Sequence, residues 1–126
     1  MAVQAGLSAA LVHTVRDDDT AEAVGSGDVA VLATPRLLAL CEAATVAAVP
    51  PNELAAGQTT VGTRMTLEHQ PPSAVGETVT AVATLRQVDG RLLVFDVAVT
   101  DDADRVVGHA VITRVVVDRQ RFLAGV

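Results

Sequence analysis

Residues 33–48 read ATPRLLALCEAATVAA, and this stretch decides the fold. Apolar and small side chains fill almost every position, which predicts a largely buried helix over residues 35–48. Thr34 is a favourable N-cap and Pro35 suits the first helical position. Two consecutive prolines follow the stretch and end the helix.

Glu42 is the only acidic residue between Asp28 and Glu53. Its neighbours one helical turn away include Leu38 and Val46. A carboxylate in such surroundings is either satisfied by a partner or used in chemistry. Glu42 is therefore a candidate functional residue, and a paired buried carboxylate is the competing interpretation.

One strand precedes the helix and four follow it. Alternating apolar residues predict strands over residues 7–15, 60–69, 78–88, 91–100 and 105–117. Asp89-Gly90 predicts a two-residue hairpin turn. This order indicates an α+β arrangement and matches the hot-dog fold, an antiparallel five-stranded curved sheet wrapped around one long helix. We expect one domain over residues 1–126.

The composition excludes several classes of function. The net charge is −6, and all nine basic residues are unclustered arginines, so no nucleic-acid partner is expected. Cys41 is the only cysteine, which excludes an intrachain disulfide and a zinc site built from several cysteines. No uninterrupted apolar run reaches the length of a membrane span. We therefore expect a cytoplasmic protein without a membrane partner.

An ordered set of short segments resembles the fluoroacetyl-CoA thioesterase family. The matching segments are Ala33-Thr34, Glu42-Ala43-Ala44, Val61-Gly62-Thr63 with His69, and Val88-Asp89-Gly90-Arg91. The resemblance runs from about residue 29 to 122. It implies hydrolysis of an acyl-CoA to a free acid and coenzyme A, with no metal or other cofactor. It also implies a homodimer with the site at the subunit interface.

Carried over by position, the family's catalytic residues fall on Thr34, Glu42 and His69, and its substrate-binding glycine falls on Gly62. Glu42 is able to activate a water or to attack the thioester carbonyl. His69 is suited to act as a base, to protonate the leaving thiolate or to hold Glu42. Thr34 is either a nucleophile, a residue that orients the acyl group, or only a helix cap.

Two segments depart from the family pattern, besides Gln70-Pro71-Pro72, which follow His69 where the family has small residues. Segment 20–32 holds no Phe, whereas the family's fluoroacetate-specific member has an aromatic lid there, so we do not expect fluoroacetyl specificity. The last strand keeps Gly108 and Arg114 of the family's Gly-x-Gly-x-His-x-Arg pattern. Ala110 and Ile112 replace the second glycine and the histidine.

These departures keep a second hypothesis open, a non-catalytic hot-dog module that binds an acyl-CoA or another small ligand. A third is a hot-dog hydratase, which typically pairs an Asp with a His, and no such Asp precedes His69. Helix geometry adds a constraint, because eight residues place Thr34 and Glu42 about 12 Å apart along the axis. The two side chains are therefore not expected to contact each other.

Overall fold

The computed structural model describes residues 3–126 and contains the predicted strand, helix and four further strands. The strands are β1 (Ser8–Thr14), β2 (Gln58–His69), β3 (Thr78–Asp89), β4 (Leu92–Asp101) and β5 (Val106–Asp118). The helices are α1 (Ala21–Val24), α2 (Thr34–Ala48) and α3 (Arg119–Leu123). The short helices α1 and α3 were not predicted from the sequence.

The five strands form one antiparallel sheet in the order β1-β3-β4-β5-β2, curved around α2 as predicted. The β3–β4 hairpin turns one residue later than predicted. Asp89 pairs with Leu92, so Gly90 and Arg91 form the turn. Gly90 has φ 60°, a conformation that favours glycine.

The core lies between α2 and the concave face of the sheet. Leu37, Cys41, Ala44 and Ala48 recur at helical spacing and are at most 2% exposed. They pack against inward side chains of the strands, of which Phe95 is the largest and is fully buried. Each buried aliphatic side chain of this kind stabilises the fold by about 1.5–3 kcal/mol.

A bulge in β2 interrupts the strict alternation of side chains along this strand. The β2–β5 register shifts between Gly62 and Arg64. Strict alternation would turn Gly62 away from Met65, but a Cβ atom on Gly62 would lie 3.2 Å from Met65 Cε. The extra residue of a bulge has this effect, since it reverses the alternation on one side of itself. Gly62 therefore faces α2.

Within residues 3–126, no helix combines the length and apolar character required to cross a bilayer. The cytoplasmic location stays a prediction.

Candidate active site

The start of α2 brings Thr34 against the end of β2. Thr34 is the first residue of α2, and the N-cap position belongs to Ala33. The interpretation of Thr34 as the cap is therefore wrong. Instead, Thr34 Oγ1 lies 2.8 Å from Nδ1 of His69, 35 residues further along the chain. We call these two residues the Thr34–His69 pair.

His69 ends β2 opposite Gly108 of β5. Burial lowers the pKa of His69, so its imidazole is uncharged at neutral pH. Its Nε2 atom is buried and has no hydrogen-bond partner among residues 3–126. Orphaned buried N–H groups are rarer than orphaned acceptors. This favours the tautomer in which Nδ1–H donates to Thr34 Oγ1, which leaves the Thr34 hydroxyl hydrogen free.

Two turns further along α2, Glu42 faces the bulge in β2. Its side chain is 36% exposed, and Arg114 Nη1 lies 3.5 Å from its Oε2 atom. A Cβ atom on Gly62 would lie 2.8 Å from the same oxygen, so only glycine leaves room for the carboxylate. Glu42 thus has a cationic partner, as the competing interpretation expected, although its side chain is partly exposed and not buried.

Arg114 is the site residue to which sequence reasoning gave no role. Nε donates to Thr60 Oγ1 at 2.9 Å, and Nη2 donates to the Thr60 backbone carbonyl at 3.0 Å. Burial lowers the pKa of Arg114 and the Glu42 charge raises it, and the guanidinium stays charged. A signal was present, since Arg114 follows Ala110 and Ile112 on the inward face of β5. We call Glu42, Gly62, Arg114 and Thr60 the Glu42 cluster.

The Thr34–His69 pair and the Glu42 cluster are separate within one subunit. Among residues 3–126, no hydrogen bond or ion pair joins Glu42 to Thr34 or His69. The expectation that Thr34 and Glu42 do not touch is confirmed. His69 is hydrogen-bonded to Thr34 and not to Glu42. The predicted contact in which His69 holds Glu42 in place therefore does not form within one subunit.

Other reactive side chains lie outside this region. Burial raises the pKa of the Cys41 thiol to about 11, which makes it a poor nucleophile. His13 Nε2 contacts Asp19 Oδ2 at 2.7 Å near the end of β1. In the part of the chain that the structure describes, no three His, Cys, Asp or Glu side chains are placed to hold a metal ion. Independence from cofactors stays a prediction.

The chain is similar over most of its length to known thioesterases. A family model described as the fluoroacetyl-CoA-specific thioesterase FlK matches residues 15–120. No curated protein matches significantly. The solved structure of the fluoroacetyl-CoA thioesterase FlK has a TM-score of 0.88 at 27% identity, with 99% of this chain and 96% of that chain covered.

Two further solved structures are similar. A mutant of FlK in complex with acetyl-CoA has a TM-score of 0.89 at 26% identity, with 98% of this chain and 96% of that chain covered. A hot-dog-like protein from Thermanaerovibrio acidaminovorans has a TM-score of 0.85 at 22% identity, with 95% and 87% covered. The latter likeness supports the fold alone.

The fold is thus the hot-dog fold, and the class of protein is a thioesterase. Since the family model spans most of the sequence, the chain belongs to the fluoroacetyl-CoA-specific thioesterase family. The predicted fold, family and enzyme class are confirmed. The roles of Thr34, Glu42, His69 and Gly62 stay predictions.

Proposed function

We propose that this chain hydrolyses an acyl-CoA thioester to a free acid and coenzyme A, using Thr34, Glu42, His69 and Gly62 at a dimer interface. The observation that carries the proposal is the 2.8 Å contact between Thr34 Oγ1 and His69 Nδ1. It joins a hydroxyl to an imidazole that burial keeps uncharged, with a lowered pKa. Such a pair is able to orient an acyl group and to move a proton.

In this pair the Thr34 hydroxyl hydrogen points at the substrate. When Nδ1–H of His69 donates to Thr34 Oγ1, the hydroxyl donates in turn to the thioester carbonyl oxygen and polarises it. The proton that the departing coenzyme A thiolate requires comes from the attacking water: Glu42 or the unprotonated Nε2 of His69 takes it up and then delivers it to the thiolate sulfur.

Glu42 supplies the base or the nucleophile. Its carboxylate is partly exposed and therefore reaches a water or the carbonyl carbon. Arg114 lies beside it, with Nη1 3.5 Å from Glu42 Oε2 and with Nε and Nη2 donating to Thr60. Its remaining N–H groups are placed to stabilise negative charge on the carbonyl oxygen. Gly62 keeps the space between the two groups open.

Pairing of two subunits along β2 explains why the two halves lie apart. β2 is the last strand of the sheet, and no other strand of residues 3–126 pairs with its outer side. Unpaired edges of this kind bind a second strand. In a symmetric antiparallel pair, the His69 end of one β2 lies beside the Gln58 end of the other. The Thr34–His69 pair of one subunit then approaches the Glu42 cluster of the partner subunit.

The acyl group is expected to differ from fluoroacetate. Helix α1 and the segment up to residue 32 carry no aromatic side chain, and Val24 and Val29 in it are exposed. Without a bulky lid, the segment has no means of closing tightly over a two-carbon group. We therefore expect fluoroacetyl-CoA to have no advantage over acetyl-CoA or longer acyl-CoAs.

The activity test follows thiol release from fluoroacetyl-, acetyl-, longer-chain and aromatic acyl-CoAs. We expect turnover with at least one substrate, and losses of roughly 10²- to 10⁴-fold in kcat for Glu42→Gln and His69→Gln. His109→Gln is the matched control, since His109 is an exposed histidine of β5. Full activity in Glu42→Gln contradicts the proposal. Tight acyl-CoA binding without any turnover supports the binding-module alternative instead.

The interface is tested by mixing two inactive subunits. Glu42→Gln and His69→Gln chains with different tags are co-expressed, and the heterodimer is purified by both tags. If each site combines Glu42 of one subunit with His69 of its partner, one of the two sites is intact and about half of the wild-type activity returns. If both residues act within one subunit, every site carries one substitution and activity stays at background.

A further inference from the structure

Thr60 fixes Arg114 through two different atoms. Its hydroxyl accepts from Arg114 Nε at 2.9 Å, and its backbone carbonyl accepts from Nη2 at 3.0 Å. These two nitrogens form one edge of the planar guanidinium. Arg114 is itself buried, with a side chain only 8% exposed, so water does not replace these acceptors readily. Thr60 therefore determines where the guanidinium lies.

The occupied edge has a consequence for Glu42. Arginine commonly binds a carboxylate through two parallel N–H bonds, which immobilises both partners. Here Thr60 takes the Nε and Nη2 donors, so only Nη1 faces Glu42, at 3.5 Å. The carboxylate is thus held near a positive charge without a two-point bond. An oxygen atom stays available for a water or a carbonyl carbon.

We propose that Thr60 is a positioning residue, which holds Arg114 so that Glu42 is anchored but still free to react. This inference rests on the proposed thioesterase function. Nothing in the sequence pattern singles out Thr60, which is one of several threonines in β2. Its role follows from the contact with Arg114, 54 residues away.

The test replaces the Thr60 hydroxyl by a methyl group. Thr60→Val keeps the side-chain shape, the branching at Cβ and the backbone carbonyl, so the strand is preserved. Because a hydrogen bond to a charged donor is lost, we expect kcat to fall roughly tenfold with KM within about twofold of wild type. Thr60→Ser restores the hydroxyl and is expected to restore kcat. Thr59→Val, the same change one residue earlier, is the control and keeps wild-type kcat.

A double mutant separates positioning from a general loss of structure. If Thr60 acts only through Arg114, Thr60→Val lowers kcat in wild type but has no further effect in Arg114→Met. A purely structural defect at Thr60 would lower activity equally in both backgrounds. Wild-type kcat in Thr60→Val, or an equal loss in both backgrounds, overturns the proposal.

A second measurement does not depend on turnover. The Arg114 Nε–H group is buried and bonded in wild type, so its NMR signal should exchange slowly with water, and Thr60→Val should accelerate that exchange. Unchanged exchange in Thr60→Val overturns the proposal even if the enzyme is active. The two proposals can also fail separately. If the wild type is inert but shows slow exchange that Thr60→Val abolishes, the proposed thioesterase function is refuted. The role of Thr60 in holding Arg114 then still stands.

Discussion

Replacing Gly62 by alanine tests the geometry of the Glu42 cluster directly. The new Cβ atom would lie 2.8 Å from Glu42 Oε2, 3.2 Å from Met65 Cε and 3.4 Å from Arg114 Nη1. Ordinary van der Waals contact begins at 3.4 Å. The carboxylate oxygen must therefore retreat by about 0.6 Å, which moves it away from its place beside Arg114.

The expected effect on stability is small. The Glu42 carboxylate is the flexible end of a side chain that is 36% exposed, so it can swing toward solvent. Gly62 has no positive φ, and alanine is compatible with its backbone. We expect the free energy of unfolding to fall by about 1 kcal/mol, which lowers Tm by roughly 3–5 °C.

The expected effect on activity is larger, because the displaced group is the proposed reacting carboxylate. A misplacement of 1 Å in a reacting group can cost about 10²-fold, so the shift here predicts a roughly 10- to 50-fold loss of kcat/KM. The assay is thiol release from the best acyl-CoA substrate, with thermal unfolding measured on the same preparations. Gly125→Ala, close to the C-terminus, serves as a neutral control.

A double mutant identifies the cause of the stability loss. If the new methyl group collides with Glu42, Gly62→Ala costs less in a Glu42→Ala background than in wild type. Activity of Gly62→Ala within twofold of wild type would refute the placement of Glu42 in the reaction. An equal stability cost in both backgrounds would show that Met65 or Arg114 takes the collision.

Three further predictions concern pH and stability. Burial lowers the pKa of His69 below its usual 6.5, so the unfolded chain takes up that proton more readily than the folded one. The stability that neutral His69 contributes is complete above about pH 6.5 and is lost as the pH falls through the folded-state pKa. In urea unfolding, the free energy of unfolding should therefore fall more steeply with acid in wild type than in His69→Asn. Asp19 is 6% exposed and accepts hydrogen bonds from His13 and the Arg16 backbone. Asp19→Asn should therefore lower the free energy of unfolding, measured in urea at pH 7, by about 1–3 kcal/mol. The control Asp18→Asn changes an exposed residue and should alter the free energy of unfolding by less than about 0.5 kcal/mol. Cys41, with a pKa of about 11, should resist thiol reagents at pH 8 until the protein is unfolded, and rapid modification of the native protein would contradict its burial. Cys41→Ala should lower the free energy of unfolding by about 1–2 kcal/mol and leave kcat unchanged.

The main helix and the five strands could be read from the sequence because local patterns specify them. Apolar residues at helical spacing on α2 and alternation on β3, β4 and β5 each point to one face. The bulge at Gly62 could not be read in this way. It is defined by the pairing of β2 with β5, and the residues around Gly62 fit either side of the sheet.

The position of Thr34 shows a similar limit. Thr before Pro is fully explained by helix capping, but the structure places the N-cap at Ala33. Its hydrogen-bond partner is His69, which lies on another element 35 residues away. The resemblance to a known family identified both residues, but it did not give the contact between them.

Glu42 and Arg114 show what the sequence did contain. Each interrupts an apolar face, Glu42 on α2 and Arg114 on the inward side of β5. A charge on a core-facing stripe needs an opposite charge, and two such interruptions on elements that pack together are most simply explained by each other. Gly62 on β2 pairs with Arg114 and completes the inference, since a residue without a side chain there leaves room for Glu42 beside Arg114. Paired interruptions of the apolar pattern, with a glycine opposite, are therefore a signal for this half of the site, although sequence reasoning gave Arg114 no role.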